Sequence, residues 1–217
     1  MKPDRCCHGL RIDRAPVSFG LLDGHPDLKE FAGRRLAQLV RDRDFTVGTG
    51  FAGTPYVLPA LTETGHLEEA YRLFLSEKCP SWLYQVSMGA TTTWERWDSM
   101  LPDGKVNSGV GMTSFNHYAL GSVAEWMYST LVGLVMTTPG WERFKVAPKP
   151  WGPIRNAHVT HKTALGIIDL AWKYEADDGQ LTIDVSVPEG SSALVEVGEQ
   201  SELIHAGSHR LVYAYTV

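Results

Sequence analysis

The chain has 217 residues, 43% hydrophobic and 21% charged, with a formal net charge of -5. Such a composition excludes wholesale disorder and leaves room for one large domain or one and a half small ones. A negative chain without a basic run excludes the electrostatic footprint of a nucleic-acid binder or of a protein held on an anionic membrane.

Residues 1–20 show neither helical nor strand periodicity and read as an irregular leader. Lys2 and Arg5 have no apolar stretch behind them, so this is not a signal peptide, and no segment is long enough to span a bilayer. Three cysteines, two of them adjacent, are no disulfide framework; Cys6, Cys7 and Cys79 point to a reducing compartment, and the cytoplasm is expected. Cys6-Cys7-His8 cannot readily close a tetrahedral metal site, and neither metal nor cofactor is called for.

Asp27 with Glu30 fits a capping pair, followed by Leu28, Phe31, Ala32, Leu39 and Val40 on one helical face. Gly48, Gly50 and Gly53 break the pattern before Pro55 opens a short helix to about Leu61. No Lys-Ser or Lys-Thr follows these glycines, so they read as a tight turn and not as a phosphate loop. After Gly65, Leu67, Ala70, Tyr71, Phe74 and Leu75 repeat at helical spacing until Pro80. Residues 81–114 are irregular, and a long loop in a compact domain is usually functional. A second long helix is expected from about Phe115 to Val135, apolar nearly all round.

The style changes at Pro139-Gly140. Short β-rich runs follow at Phe144–Val146, His158–Thr163, Gly166–Tyr174, Gln180–Val187, Ala193–Val197 and Leu211–Val217. Asp177-Asp178-Gly179 and Pro188-Glu189-Gly190 read as turns between them. Leu181, Ile183, Val185 and Val187 alternate as a half-buried antiparallel strand does. The expected organisation is a leader (1–20), a helical domain (21–138) and a small antiparallel β-sandwich (139–217).

Chemistry concentrates in Thr91-Thr92-Thr93-Trp94-Glu95-Arg96-Trp97-Asp98, one carboxylate between two indoles with a second carboxylate three residues on. Indole faces stack on the apolar face of a sugar ring, and a carboxylate beside them can donate a proton, activate water or attack carbon. The competing reading pairs Glu95 with Arg96 or another cation and makes the indoles core. His117 can hydrogen-bond a sugar hydroxyl or serve only as a structural hydrogen-bonder. His158 and His161, three apart on a strand, face opposite ways; His205 and His209 stand too far apart to share a metal.

Gly50-Phe51-Ala52-Gly53-Thr54-Pro55-Tyr56, Tyr71-Arg72-Leu73, Pro80-Ser81-Trp82-Leu83-Tyr84, Gly89–Asp98 and Ser114-Phe115-Asn116-His117-Tyr118-Ala119 together resemble the C-terminal part of bacterial α-L-rhamnosidases, over about residues 40–215. The resemblance implies an (α/α)₆ six-hairpin barrel followed by a small β-sandwich, and inverting hydrolysis of terminal rhamnose. It implies Glu95 as the general base, and Trp94, Trp97, His117 and Asn116 as sugar-binding residues. The family's proton-donating Glu and acidic rhamnose-binding cluster lie upstream of the matched region. The expectation is therefore a C-terminal fragment, inactive alone, carrying the water-activating half of the site and acting on rhamnose-containing glycosides. Other readings are a non-catalytic sugar-binding or structural module, a subunit that needs an N-terminal partner chain or self-association, and a fucosidase- or glucoamylase-like (α/α)₆ enzyme.

Overall fold

A computed structural model describes residues 17–109 and 113–216. The expectations for Cys6-Cys7-His8 and for most of the leader lie outside the described residues. The chain divides into two compact units, Met1–Ala124 and Glu125–Val217.

The first unit is helical: α1 (Pro26–Asp42), α2 (Thr54–Glu63), α3 (Leu67–Phe74) and α4 (Trp82–Ser87). Pro26 and Pro55 sit in the first turns of α1 and α2, where a missing N–H costs nothing. The Asp27–Glu30 capping pair does not form: His25 occupies the cap without a side-chain hydrogen bond, and Glu30 pairs with Arg34 one turn on. The buried face of α1 is Ala32, Leu36, Ala37 and Val40, whereas Leu28 and Phe31 are exposed. Gly33 explains the offset, because a Cβ there would lie 2.3 Å from the Cβ of Thr64; α1 therefore meets the end of α2 along its small-residue stripe. Val57, Leu58, Leu61, Tyr71 and Leu73 fill the space between α2 and α3, each almost fully buried, at about 1.5–3 kcal/mol per large side chain.

Residues 81–114 are less irregular than expected. Ser81 Oγ accepts the Tyr84 N–H at 3.0 Å, the side-chain cap that starts α4. The long helix expected over 115–135 is also corrected: a 3-10 turn (Ala119–Ser122), one α-helical turn (α5, Val123–Trp126) and a π-helix (Met127–Val132) replace it. Gly133, at φ +83, ends the run in the left-handed conformation.

The second unit holds β1 (Leu134–Met136), β2 (Arg143–Val146), β3 (Asn156–Thr163), β4 (Gly166–Glu175), β5 (Gln180–Val197) and β6 (Gln200–Ala214). All six belong to one curled sheet of order β1-β2-β5-β4-β3, with β6 on β5. The pair β2–β5 is parallel, where only antiparallel pairs were expected. Pro188-Glu189-Gly190 is a register shift within continuous β5, not a turn. The bulge lets a single strand pair with β4 along its first half and with β2 along its second. Leu181, Ile183, Val185 and Val187 are all buried, as their alternation implies. Trp172 from β4 donates its indole N–H to the Leu131 carbonyl at 3.0 Å, which anchors the π-helix within this unit, so the compact division precedes the change of style at Pro139-Gly140.

Candidate active site

The loop carrying Trp94-Glu95-Arg96-Trp97 is fixed from α4. Gln85, buried on that helix, accepts the Trp94 backbone N–H at 3.1 Å. Trp82, at the start of α4, donates to the Leu120 carbonyl at 3.0 Å and meets Trp97 edge-on, centroids 5.2 Å apart at 88°. The residues that flank Glu95 are thus both tied to one short helix, Trp94 by its backbone and Trp97 by its ring.

A second loop closes against the first. Glu95 N–H donates to the Ser114 carbonyl at 2.9 Å, and His117 N–H to the Thr93 carbonyl at 2.9 Å. The Thr93 hydroxyl donates to the His117 carbonyl at 2.5 Å, and the Thr92 hydroxyl to that of Phe115. These cross-loop bonds engage the Phe115 and His117 carbonyls, which a helix starting at Phe115 would give to N–H groups four residues on.

The Glu95 carboxylate receives the Ser114 N–H on Oε2 at 2.8 Å. The ion pair between Glu95 and Arg96 does not form. Arg96 Nη2 instead reaches both oxygens of Asp98, at 2.9 and 3.1 Å, and Asn107 adds a 2.9 Å hydrogen bond. Neighbouring carboxylates are therefore treated differently: Asp98 is tied up by a guanidinium and an amide, whereas Glu95 has one backbone donor and no ion pair among the described residues.

Glu95 opens on a cleft of about 420 Å³ whose walls include Thr49, Gly50, Phe51, Trp97, Asp98 and Leu120, a size that suits a small ligand. Trp97 is pinned by its own indole N–H, which donates to the Thr49 carbonyl at 3.2 Å, and this leaves its ring as one wall. The Gly50 turn in the wall is tight: the N–H groups of Gly53 and Thr54 both point to the Gly50 carbonyl, at 2.9 and 3.0 Å. That is the turn which the glycine spacing implied.

His117 lies between two rings. Phe51 stacks on it at 4.7 Å and 18°, Tyr118 at 5.1 Å and 12°. The Ala119 N–H donates to His117 Nδ1 at 3.2 Å. A lone pair must therefore sit on Nδ1, which leaves Nε2 to carry the proton of the neutral ring. Asn116 is exposed beside it. Trp94 is only 2% exposed and packs edge-on against Phe115 at 5.2 Å; it faces the interior and not the cleft. Phe51 and Asp98 are wall residues that the sequence did not single out as sugar-binding, although both fall within the motifs read there. No group of three or more His, Cys, Asp or Glu able to hold a metal occurs among the described residues, and no helix among them is long and apolar enough to cross a membrane.

Residues 13–131 match the bacterial α-L-rhamnosidase 6-hairpin glycosidase domain, and residues 133–211 the bacterial α-L-rhamnosidase C-terminal domain. An α-L-rhamnosidase of Streptomyces avermitilis is 41% identical over 171 residues, 78% of this chain and 16% of that protein. One of Formosa agariphila is 36% identical over 181 residues, 83% of this chain and 19% of that protein. Among solved structures, the native α-L-rhamnosidase of Aspergillus terreus aligns at TM-score 0.85 and 37% identity, over 91% of this chain and 23% of its own. The S. avermitilis α-L-rhamnosidase complexed with L-rhamnose aligns at 0.82 and 34%, over 91% and 21%. The chain thus spans less than a quarter of the length of each of these relatives.

Proposed function

The chain belongs to the bacterial α-L-rhamnosidase family, and we propose that its 217 residues supply the water-activating half of an inverting α-L-rhamnosidase site, with Glu95 as the general base. The observation that carries this reading is the contrast between the two carboxylates in the cleft. Asp98 has both oxygens occupied by Arg96 and Asn107, while Glu95, oriented by a single N–H, faces the opening. A base must keep a lone pair aimed at water; both Asp98 oxygens already accept hydrogen bonds, whereas Glu95 accepts on Oε2 alone among the described residues.

The remaining roles follow from the sugar, for Trp97 in the wall and for His117 and Asn116 on the loop beside it, which do not line the cleft. Trp97 offers an indole face to the apolar side of a rhamnose ring. His117 presents Nε2–H to a sugar hydroxyl or to the attacking water, and Asn116 contributes an amide from the same loop. Trp94, buried against Phe115, sets the position of Glu95 without touching the sugar. Inversion requires a proton donor across the ring, roughly 6.5–9.5 Å from the base. In this reading that donor, and the carboxylates that hold rhamnose, come from residues outside these 217. Helices α1–α4 are then part of an (α/α)₆ barrel, and the β5 bulge is the line along which one sheet doubles over into a sandwich.

The test is an aryl α-L-rhamnoside assay of the chain, alone and mixed with an upstream barrel fragment of a relative. Activity is expected only in the mixture. Glu95→Gln should lower it by about 10²–10⁴, the usual worth of general base help, and the first-formed sugar should have the opposite anomeric configuration. Hydrolysis by the chain alone that Glu95→Gln abolishes would overturn the division of labour.

A second reading, a subunit completed by a separate N-terminal chain or by itself, is favoured by exposed Leu28 and Phe31 on α1, with Phe19 and Leu21 exposed before it. A sedimentation profile that stays monomeric at high concentration would count against it.

A further inference from the structure

The second unit carries a cleft remote in sequence from Glu95. Its floor is set by strand register. Arg143, Ser192 and His205 stand side by side on β2, β5 and β6, since Arg143 pairs with Ser192 and Ser192 with His205. Two residues further along, on the same face, Leu194 pairs with Leu203. Thr137 closes the end beyond Arg143, and the whole encloses about 520 Å³, within the range of small-molecule sites.

Its chemistry is two-sided. Leu203 is 58% exposed, so the apolar half is open to a ligand. On the polar half neither the Arg143 guanidinium nor the His205 imidazole has a side-chain partner among the described residues, and no carboxylate lines the cleft. The nearest acid along that face, Glu196, is engaged by Lys145 at 2.8 Å. A chain of net charge -5 thus holds an unpaired guanidinium beside an apolar pair. Guanidinium and carboxylate match in charge and fork geometry, and Leu194 with Leu203 match an acyl chain or aryl ring.

We propose that this cleft binds an amphipathic monocarboxylate, its carboxylate on Arg143, with Ser192, Thr137 and His205 as hydrogen-bond donors, and its apolar body across Leu194 and Leu203. The site is independent of the reading given to Glu95.

The probes are octanoate and trans-cinnamate, titrated into the 217-residue chain by calorimetry and by proton–nitrogen NMR, with octanamide and cinnamyl alcohol as uncharged counterparts. Saturable binding is expected, with shifts confined to Thr137, Arg143, Ser192, Leu194, Leu203 and His205. Arg143→Gln should weaken it about tenfold or more, the scale of one lost charge-assisted hydrogen bond. Leu203→Ser should weaken acid and uncharged counterpart alike. Both residues are exposed, so the variants should keep the wild-type spectrum elsewhere. Equal binding of the uncharged counterparts, an unchanged affinity in Arg143→Gln, no saturable binding, or a dimer that covers Leu203 would each overturn the proposal.

Discussion

Gly133 and Gly198 offer a paired measurement that separates backbone strain from steric collision. Both lie in the second unit with positive φ, +83 and +59. A Cβ at Gly198 meets nothing within 4 Å, whereas one at Gly133 would fall 2.2 Å from the Pro148 nitrogen and 2.4 Å from the Ala147 carbonyl carbon. Alanine in the left-handed region costs about 1–2 kcal/mol, offset by about 0.4–1 kcal/mol from the stiffer unfolded chain. Gly198→Ala should therefore destabilise by about 1 kcal/mol. Gly133→Ala adds a collision with backbone, which cannot swing aside as a side chain can. Two hydrogen bonds cross that joint, Ala147 N–H to the Gly133 carbonyl at 2.7 Å and Lys149 N–H to the Thr130 carbonyl at 3.1 Å, and both must stretch. Overpacking at about 1–3 kcal/mol and two weakened bonds at about 1 kcal/mol each, on top of the same φ penalty of about 1 kcal/mol, bring the total to about 4–6 kcal/mol. Urea unfolding followed by the β-sheet circular dichroism signal measures both variants on one transition. Equal losses in the two would refute the reasoning, since they would leave the φ penalty alone to account for Gly133.

Trp172→Phe should cost at least about 1–3 kcal/mol, because it leaves the Leu131 carbonyl without its 3.0 Å donor while a smaller aromatic ring stays in the core; the same urea transition reads it. Cys79 is exposed, yet partial burial of its thiol and, second, the charge of Asp98 push it up to about 11, so iodoacetamide alkylation should accelerate about tenfold per pH unit from neutrality with no plateau before that value. Asp169 is held below the usual carboxylate range chiefly by its hydrogen bond to His158. A depressed carboxyl stabilises the fold above its unfolded pKa, and that share is lost as pH falls through its folded value. The pair is exposed, so Asp169→Asn should remove less than about 1 kcal/mol at neutral pH and flatten the acid limb of the stability curve.

How far the sequence spoke depended on whether local pattern and tertiary demand agreed. Alternation in β5 and helical spacing in α3 each reflect one element packed on one face, and both were legible. Where two segments compete for the same backbone groups, pattern misleads. Phe115–His117 reads as a helix start, yet the Phe115 and His117 carbonyls and the His117 N–H pair with Thr92 and Thr93. Pro188-Glu189-Gly190 reads as a turn, yet a bulge can absorb the same residues when both halves of the strand find partners. Leu28 and Phe31 read as core, yet the close approach at Gly33 selects a face turned away from them.

The site shows the same division within one motif. Two indoles flank Glu95 in sequence, one residue before it and two after, and the resemblance implies like roles for both. Their surroundings set them apart. Trp94 has its backbone on Gln85 and its ring on Phe115, and is withdrawn from solvent. Trp97 spends its indole N–H on Thr49, which pins the edge of the ring and leaves it in the cleft wall. A residue pair read as two sugar platforms is, physically, one buried anchor and one ring in a cleft wall. Trp97→Ala should then weaken sugar binding and leave the fold standing, whereas Trp94→Ala should empty a core position beside Glu95 at about 3–5 kcal/mol and lose the orientation of the carboxylate with it.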